Sequence, residues 1–321
     1  MNIFACPLCQ STRFAVLPQY RHVGLRKYGC SLVRCNDCGH CFTQASEVPD
    51  LGELYANEQY ELVDTRRSMF GRLISLDVKS VLRQLERVKP QVMGASVLDF
   101  GCGKGVFLHW AAERGWRVLG VETASKRAEF ARTIYGLEVI SEEYSGGAIA
   151  GGPFDVITLF HVLEHLSNPH ALVTSLVDSN LKANGMLVLE VPRFDSLQSV
   201  LAGNAWVHLD APRHLSHFST EAMARLMDDL GFKVQASSQF SFHNGLLGMV
   251  QGILSRLGYK KMLIEELKLR RTALLVLLVL AVAPLALALE LVAILIGRGG
   301  IIRVYCSRAP VSVREVCPSG S

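Results

Sequence analysis

Short apolar, β-branched runs alternate with stretches of helical period through the middle of the chain. Ser96-Val-Leu-Asp-Phe100, Arg117-Val-Leu-Gly-Val-Glu122, Phe154-Asp-Val-Ile-Thr-Leu-Phe160, Gly185-Met-Leu-Val-Leu-Glu-Val191 and Phe232 to Gln239 read as strands. Val106 to Arg114 reads as a helix. A second helix starts at Asn168-Pro169, a cap residue followed by a proline in the first turn, and ends at Asn184-Gly185. A third is capped by Ser219 or Thr220 and stops at Gly231. Strand and helix in alternation predict an α/β domain, a parallel sheet wrapped by helices. Ahead of it, Phe70, Leu73, Ile74, Leu76, Leu82 and Leu85 sit at mixed three-to-four spacing and predict one more helix. Behind it, Ala273 to Ile296 is apolar almost throughout, and Gly300-Ile-Ile-Arg-Val-Tyr-Cys-Ser-Arg308 is again strand-like.

These shifts divide the chain into a cysteine-rich module (1–45), a helical connector or lid (46–94), an α/β core (95–240), a helical, membrane-seeking insertion (241–299) and a last strand with its tail (300–321). Half of the 321 residues are apolar and the mean hydropathy is +0.26. That excludes a disordered chain and leaves apolar surface for something other than the core. Lysine plus arginine number 33 against 29 acids, and a balance of +4 is too mild to call for a nucleic-acid partner. The N-terminus lacks the basic-then-apolar order of a secretory signal, and the cysteine pattern is not that of a small secreted disulfide scaffold. The expected location is a reducing cytoplasm.

Six of the nine cysteines fall in the first 41 residues. Cys6-x-x-Cys9 and Cys35-x-x-Cys38 form two knuckles whose spacing suits one tetrahedral Zn2+ on four thiolates, a closed structural site with no position for chemistry. Cys30 and Cys41 are spares or alternates.

A strand ending near Asp99, glycines at 101, 103 and 105, and then a helix describe a ligand-binding turn. There the backbone amides can approach a ligand, and the helix N-terminus adds its dipole. Glu122, at the tip of the next strand, is placed to accept two hydrogen bonds from a ribose. Val106 stands where a nicotinamide fingerprint would have its third glycine.

Val97-Leu-Asp-Phe-Gly-Cys-Gly-Lys-Gly105 resembles the first motif of the class I S-adenosylmethionine-dependent methyltransferases. Phe154-Asp-Val-Ile, Val162-Leu-Glu-His-Leu166, Leu181-Lys-Ala-Asn-Gly-Met-Leu187 and Gly231-Phe232 fall where that family has its later motifs, so the resemblance covers roughly residues 50 to 308. It implies a Rossmann-like seven-stranded sheet with an antiparallel last strand, here residues 300 to 308, alongside the small zinc ribbon and the apolar helical insertion. It implies that Gly101, Gly103 and Gly105 cradle the methionine part of S-adenosylmethionine, Glu122 its ribose, and Asp99 the loop or a bound water. Phe160 and His161 line the sulfonium side, and the adenine edge falls at Ser141-Glu142-Glu143. Tyr55 and Tyr60 match aromatic positions that related enzymes place over the cofactor.

His161-Val-Leu-Glu164-His165 carries the most chemistry, since i, i+3 and i+4 share a face at the start of a helix. His165 is the expected general base, oriented by Glu164, with a structural capping role as the alternative. The stretch also resembles the Glu-x-x-Glu-His pattern of quinone-pathway O-methyltransferases, which implies a divalent metal on His161, Glu164 and His165. Between Trp206 and Ser219, three histidines and an arginine crowd a loop that forms an acceptor lid in the family, with Arg213 and His214 the acceptor-side candidates.

The expected enzyme methylates a small-molecule, sugar or lipid-linked glycan acceptor at the cytoplasmic membrane face, resembling methyltransferases of cell-surface glycan and secondary-metabolite pathways. The rivals are a zinc-bearing ribosomal RNA methyltransferase, resembled by Phe4-Ala-Cys-Pro-Leu-Cys9, and a degenerate membrane-bound scaffold. If residues 300 to 308 complete the sheet, both ends of 273–296 lie on one side of the membrane, and basic residues flank both ends. Twenty-four residues cannot cross twice as helix. The segment is therefore expected as a shallow hairpin bent near Pro284 or as a helix in the interface, on a peripheral or monotopic protein.

Overall fold

The computed structural model describes residues 5–20, 25, 27–45, 69–90, 94–259, 261, 263, 266–267 and 272–309. Its strands are β1 (Phe14–Val16), β2 (Ser31–Cys35), β3 (Cys41–Gln44), β4 (Ser96–Phe100), β5 (Arg117–Val121), β6 (Val139–Ile140), β7 (Phe154–Phe160), β8 (Leu181–Pro192), β9 (Ser216–His217), β10 (Phe232–Ser238) and β11 (Ile301–Arg308). The helices that matter here are α1 (Met69–Val88), α2 (Val106–Ala112), α3 (Ser125–Tyr135), α4 (Pro169–Asn180), α5 (Leu197–Ala202), α6 (Thr220–Asp229), α7 (Asn244–Arg256) and α8 (Ala273–Leu295).

Seven strands form one sheet in the order β10-β11-β8-β7-β4-β5-β6. Its pairs are parallel except where β11 runs antiparallel between β10 and β8. The expected α/β sheet with its antiparallel last strand is thus present. Its centre reads as unbroken apolar runs because both faces are covered: every residue of β4 is buried, and Leu98, Ile157 and Leu189 have no exposed surface.

Two element boundaries differ from expectation. The helix begun by Asn168 stops at Asn180, four residues before Asn184, because the Asn180 side chain is buried and cross-linked. Its Oδ1 accepts from Ile149 N at 2.6 Å and its Nδ2 donates to the Gly147 carbonyl at 3.0 Å. Gly185 lies inside β8. The apolar run is one continuous helix, α8, with Pro284 inside it, so the hairpin bent at Pro284 is corrected to a single helix. About 35 Å long at 1.5 Å per residue, α8 packs on α7 and α5 and leaves most of its surface outward.

A second sheet, β1-β2-β3-β9, is antiparallel and small. Three of its strands come from the cysteine module. The fourth, β9, comes from the loop after β8.

Candidate active site

The carboxyl ends of β4 and β7 mark the point where strand order reverses, where α/β sheets open a crevice. A cavity of about 580 Å³ lies there, within the range of small-molecule sites.

One wall is the turn from β4 into α2. Gly101 and Gly105 have φ of +77° and +75°. A Cβ on Gly101 would stand 2.5 Å from Val162 Cγ2, and one on Gly105 would stand 2.5 Å from Leu137 Cδ1, so only glycine fits at either. Gly103, also on the cavity wall, has nothing within 4 Å of its Cβ direction and faces open space. Glu122 is buried, and its carboxylate accepts from Gly103 N at 2.9 Å and Ala124 N at 2.8 Å. It therefore fixes the loop, with lone pairs remaining for ribose hydroxyls. Asp99 accepts from Thr158 Oγ1 at 2.6 Å; burial pushes its carboxyl up to about 7, with the nearby Glu122 charge adding to the rise.

The next wall follows β7. Phe160 meets Phe107 edge-on at 5.0 Å. His161 has φ +56°, a left-handed conformation costly for a side chain of this size. The short 3₁₀ turn Leu163–His165 replaces the expected helical face. His161 is clamped instead by two carboxylates, Nδ1 at 3.2 Å from Glu164 and Nε2 at 3.0 Å from Glu190. Burial favours the neutral ring, but these two hydrogen bonds and charges outweigh it and raise His161 to about 10. It is an imidazolium at neutral pH and has no lone pair for a metal. Glu190 is in turn paired with buried Arg303, its cross-strand neighbour on β11, so four alternating charges run from Glu164 to Arg303. Burial alone would raise both carboxyls, yet Arg303 and His161 hold Glu190 well below the usual range and His161 lowers Glu164.

The third wall is the loop 206–217. Arg213 is bound to Asp210 at 2.7 Å. His165 Nδ1 lies 3.1 Å from the Arg213 carbonyl and His214 Nδ1 lies 2.7 Å from the His208 carbonyl. A carbonyl only accepts, so each Nδ1 carries a proton, and in the neutral ring it is Nε2 that holds the lone pair. The Arg213 carbonyl therefore orients the His165 ring, and a donor atom of Glu164, the orienting group expected, lies within 4.8 Å of it. Burial holds His214 well below its ordinary value and takes His208 to about 3, with the charge on His161 adding to the latter. Donor atoms of Glu164, His165 and His214 lie within 4.8 Å of one another, and Glu164 Oε2 is buried with no hydrogen-bond partner among the described residues. That set fits a divalent cation, with His214 in place of the expected His161.

Sequence reasoning missed the fourth wall. Asp77, buried on α1, accepts from Phe242 N at 2.6 Å and His243 N at 3.0 Å and pairs with the His243 ring. The Asn244 amide, at the start of α7, lies 2.8 Å from His161 Nε2. Glu190 and Arg303 were missed too, although each is a charge flanked by apolar residues within its strand, and opposite charges of that kind signal a pair.

Of the expected site residues, the cavity is lined by Asp99, Gly101, Gly103, Glu122, Phe160, His161, Glu164, His165, Arg213 and His214. Gly105 stands just behind it. Glu142 is exposed and is not among the lining residues, because β6 ends at Ile140 and the chain turns outward. Tyr55 and Tyr60 lie outside the described residues.

Away from the cavity, the sulfur atoms of Cys6, Cys9, Cys35 and Cys38 all lie within 4.8 Å of one another, with Cys6–Cys38 and Cys9–Cys35 at 3.5 Å. Four thiolates on zinc at ~2.3 Å stand about 3.8 Å apart, so the cluster fits that ion. Each knuckle closes on a left-handed residue, Gln10 or Gly39. Cys30 and Cys41 are buried among Leu25, Leu32 and Trp206 and take no part in the cluster.

A family model described as a methyltransferase domain matches residues 66–237. The ubiquinone biosynthesis O-methyltransferase of Schizosaccharomyces pombe, a mitochondrial protein, is 34% identical over 103 residues, 30% of this chain and 37% of that one. Its namesake from Maricaulis maris is 33% identical over 138 residues, 39% of this chain and 52% of that one. The chain thus spans about half or less of these relatives' length. A solved S-adenosylmethionine-dependent methyltransferase from Archaeoglobus fulgidus covers 72% of this chain and 94% of its own at 22% identity, with a TM-score of 0.45.

Proposed function

The chain belongs to the class I S-adenosylmethionine-dependent methyltransferase family, and on that footing we propose that it methylates an oxygen of a small-molecule, sugar or lipid-linked glycan acceptor at the cytoplasmic face of a membrane. The observation that carries the reading is a single cavity that joins the glycine loop and Glu122 to a wall of histidines with lone pairs on Nε2. Bound S-adenosylmethionine supplies a methyl group already activated by its sulfonium. The loop from Gly101 to Gly105 and the start of α2 hold its methionine end, and Glu122 its ribose. Alignment of the acceptor by the loop 206–217 provides most of the acceleration. His165, its Nδ1 proton held by the Arg213 carbonyl, takes the acceptor proton at Nε2 for a further factor of ~10²–10⁴. The relatives' name as O-methyltransferases supports oxygen as the acceptor atom.

A second reading is favoured by the partnerless Glu164 Oε2: Glu164, His165 and His214 hold a divalent cation that lowers the pKa of the acceptor hydroxyl. Stimulation by added Mg²⁺ or Mn²⁺ that His214→Ala abolishes and His161→Gln retains supports it. Full activity in a chelator excludes it.

One structural zinc on Cys6, Cys9, Cys35 and Cys38 accompanies either reading. The outward face of α8 supports membrane attachment, since Leu274 is 78% and Leu295 is 85% exposed. Labelled methyl transfer into whole-cell lipid, glycan and RNA fractions tests the assignment. Label in lipid or glycan is expected. Label in RNA alone, retained in a salt-dependent way, would move the chain to the RNA-modifying class.

A further inference from the structure

The cysteine module is not an appendage. Along β2 and β3, alternate side chains point to opposite faces. Val33, Cys35 and Phe42 face the main core beside Leu215 and Phe218, whereas Leu32 and Cys41 face Trp206, Leu209 and Ala211. The β2–β3 hairpin is thus wedged behind the loop that forms the third cavity wall. The hairpin turn carries Cys35 and Cys38, and Thr43 stands five residues beyond Cys38.

Thr43 makes three bonds across this junction. Its N–H donates to the Leu215 carbonyl at 2.9 Å, its hydroxyl donates to the His214 carbonyl at 2.8 Å, and His217 Nε2 lies 3.0 Å from the same oxygen. Cys41 pairs with His217 and Phe42 with Ser216. From there, Leu215 N–H donates to the Glu164 carbonyl at 2.6 Å. A continuous bonded path therefore leads from the second cysteine knuckle, through Thr43, to both sides of the histidine cluster.

We propose that the metal-loaded cysteine module is the positioning element for the acceptor wall, acting through Thr43 on the backbone of His214 to His217. A module this small lacks the apolar core to order itself, so its metal sets the order of the hairpin, and the hairpin sets the order of the loop. The proposal rests on the methyltransferase reading only for the word acceptor; the coupling itself is a property of the fold.

Hydrogen exchange on the full-length protein tests it, comparing zinc-loaded wild type with Cys35→Ser/Cys38→Ser, Thr43→Val and Thr43→Ser. Loss of protection across 206–217 is expected in the cysteine variant and in Thr43→Val, with strands β4 and β7 unchanged. Thr43→Val should keep its zinc, and Thr43→Ser, which restores the hydroxyl, should keep wild-type protection. If 206–217 exchanges as in wild type in both Thr43→Val and a zinc-depleted sample, the proposal is overturned. If the cysteine variant does not fold, the two Thr43 variants decide alone. Calorimetry with S-adenosylmethionine on the same samples separates the readings: unchanged cofactor affinity beside a loosened loop is expected. Absent affinity in wild type would sink the enzymatic reading and leave the coupling standing.

Discussion

At the scale of single residues, Glu122 holds the glycine loop from below while facing the cavity, so its removal costs twice. Glu122→Ala should weaken S-adenosylmethionine by about 1.5–3 kcal/mol for each charge-assisted hydrogen bond lost, roughly 10- to 150-fold in Kd per bond. Isothermal calorimetry reads this directly, and equal affinities would remove the ribose assignment. His165→Ala should lower turnover by ~10²–10⁴ with cofactor affinity intact; normal turnover, or early melting, would return His165 to a structural role. The glycine loop and Glu122 were legible because a strand, three glycines and a following acid are local signals. Glu190 and Arg303 were not, since Glu190 reaches His161 only from the neighbouring strand β8, and Arg303 reaches Glu190 only once β8 and β11 lie side by side.

At the scale of elements, the core strands declared themselves as apolar runs bounded by glycine and proline, and all five read from the core region formed. β9 was invisible because two residues carry no periodicity, and it is a strand only because β3 pairs with it from 174 residues away at the nearer pair (216 − 42). α8 was legible as an apolar segment, but its continuity through Pro284 was only one of two alternatives. Proline is a local signal for a bend, whereas the packing of α8 on α7 and α5 is tertiary and leaves no mark in the local pattern. Fractionation should find the protein with membranes, released by detergent and not by high salt. Leu277→Glu with Leu285→Glu and Leu295→Glu, all on the exposed face, should shift it to the soluble fraction without changing its melting temperature. Retention on membranes by this triple variant would argue against α8 as the anchor.

For the molecule as a whole, the chain of charges from Glu164 to Arg303 ties three strands and the cavity into one titrating unit. His161 is raised to about 10 in the fold. An unfolded histidine releases its proton near 6.5. Its contribution is therefore complete below about pH 6.5 and lost as pH climbs through about 10. The melting temperature should fall between pH 7 and pH 10. His161→Gln should be less stable, by about 3–5 kcal/mol, because buried Glu164 loses its cation while Glu190 keeps only Arg303, and should show a flatter alkaline limb. A wild-type profile flat to pH 10 would show that the ring is neutral. Asp99, raised to about 7 by burial, bears on the window below 7, where stability falls as pH rises.

The position of β11 in the sheet also sets an order of assembly. Arg303 lies 113 residues after the glutamate it neutralises, and α8 emerges from the ribosome between them. While the chain is being made, β10 and β8 wait without the strand that separates them, and Glu190 has no guanidinium. The apolar helix is thus exposed to chaperone or bilayer before the cavity can close, so a chain stopped between the end of α8 and residue 301 carries the sticky surface without the finished site.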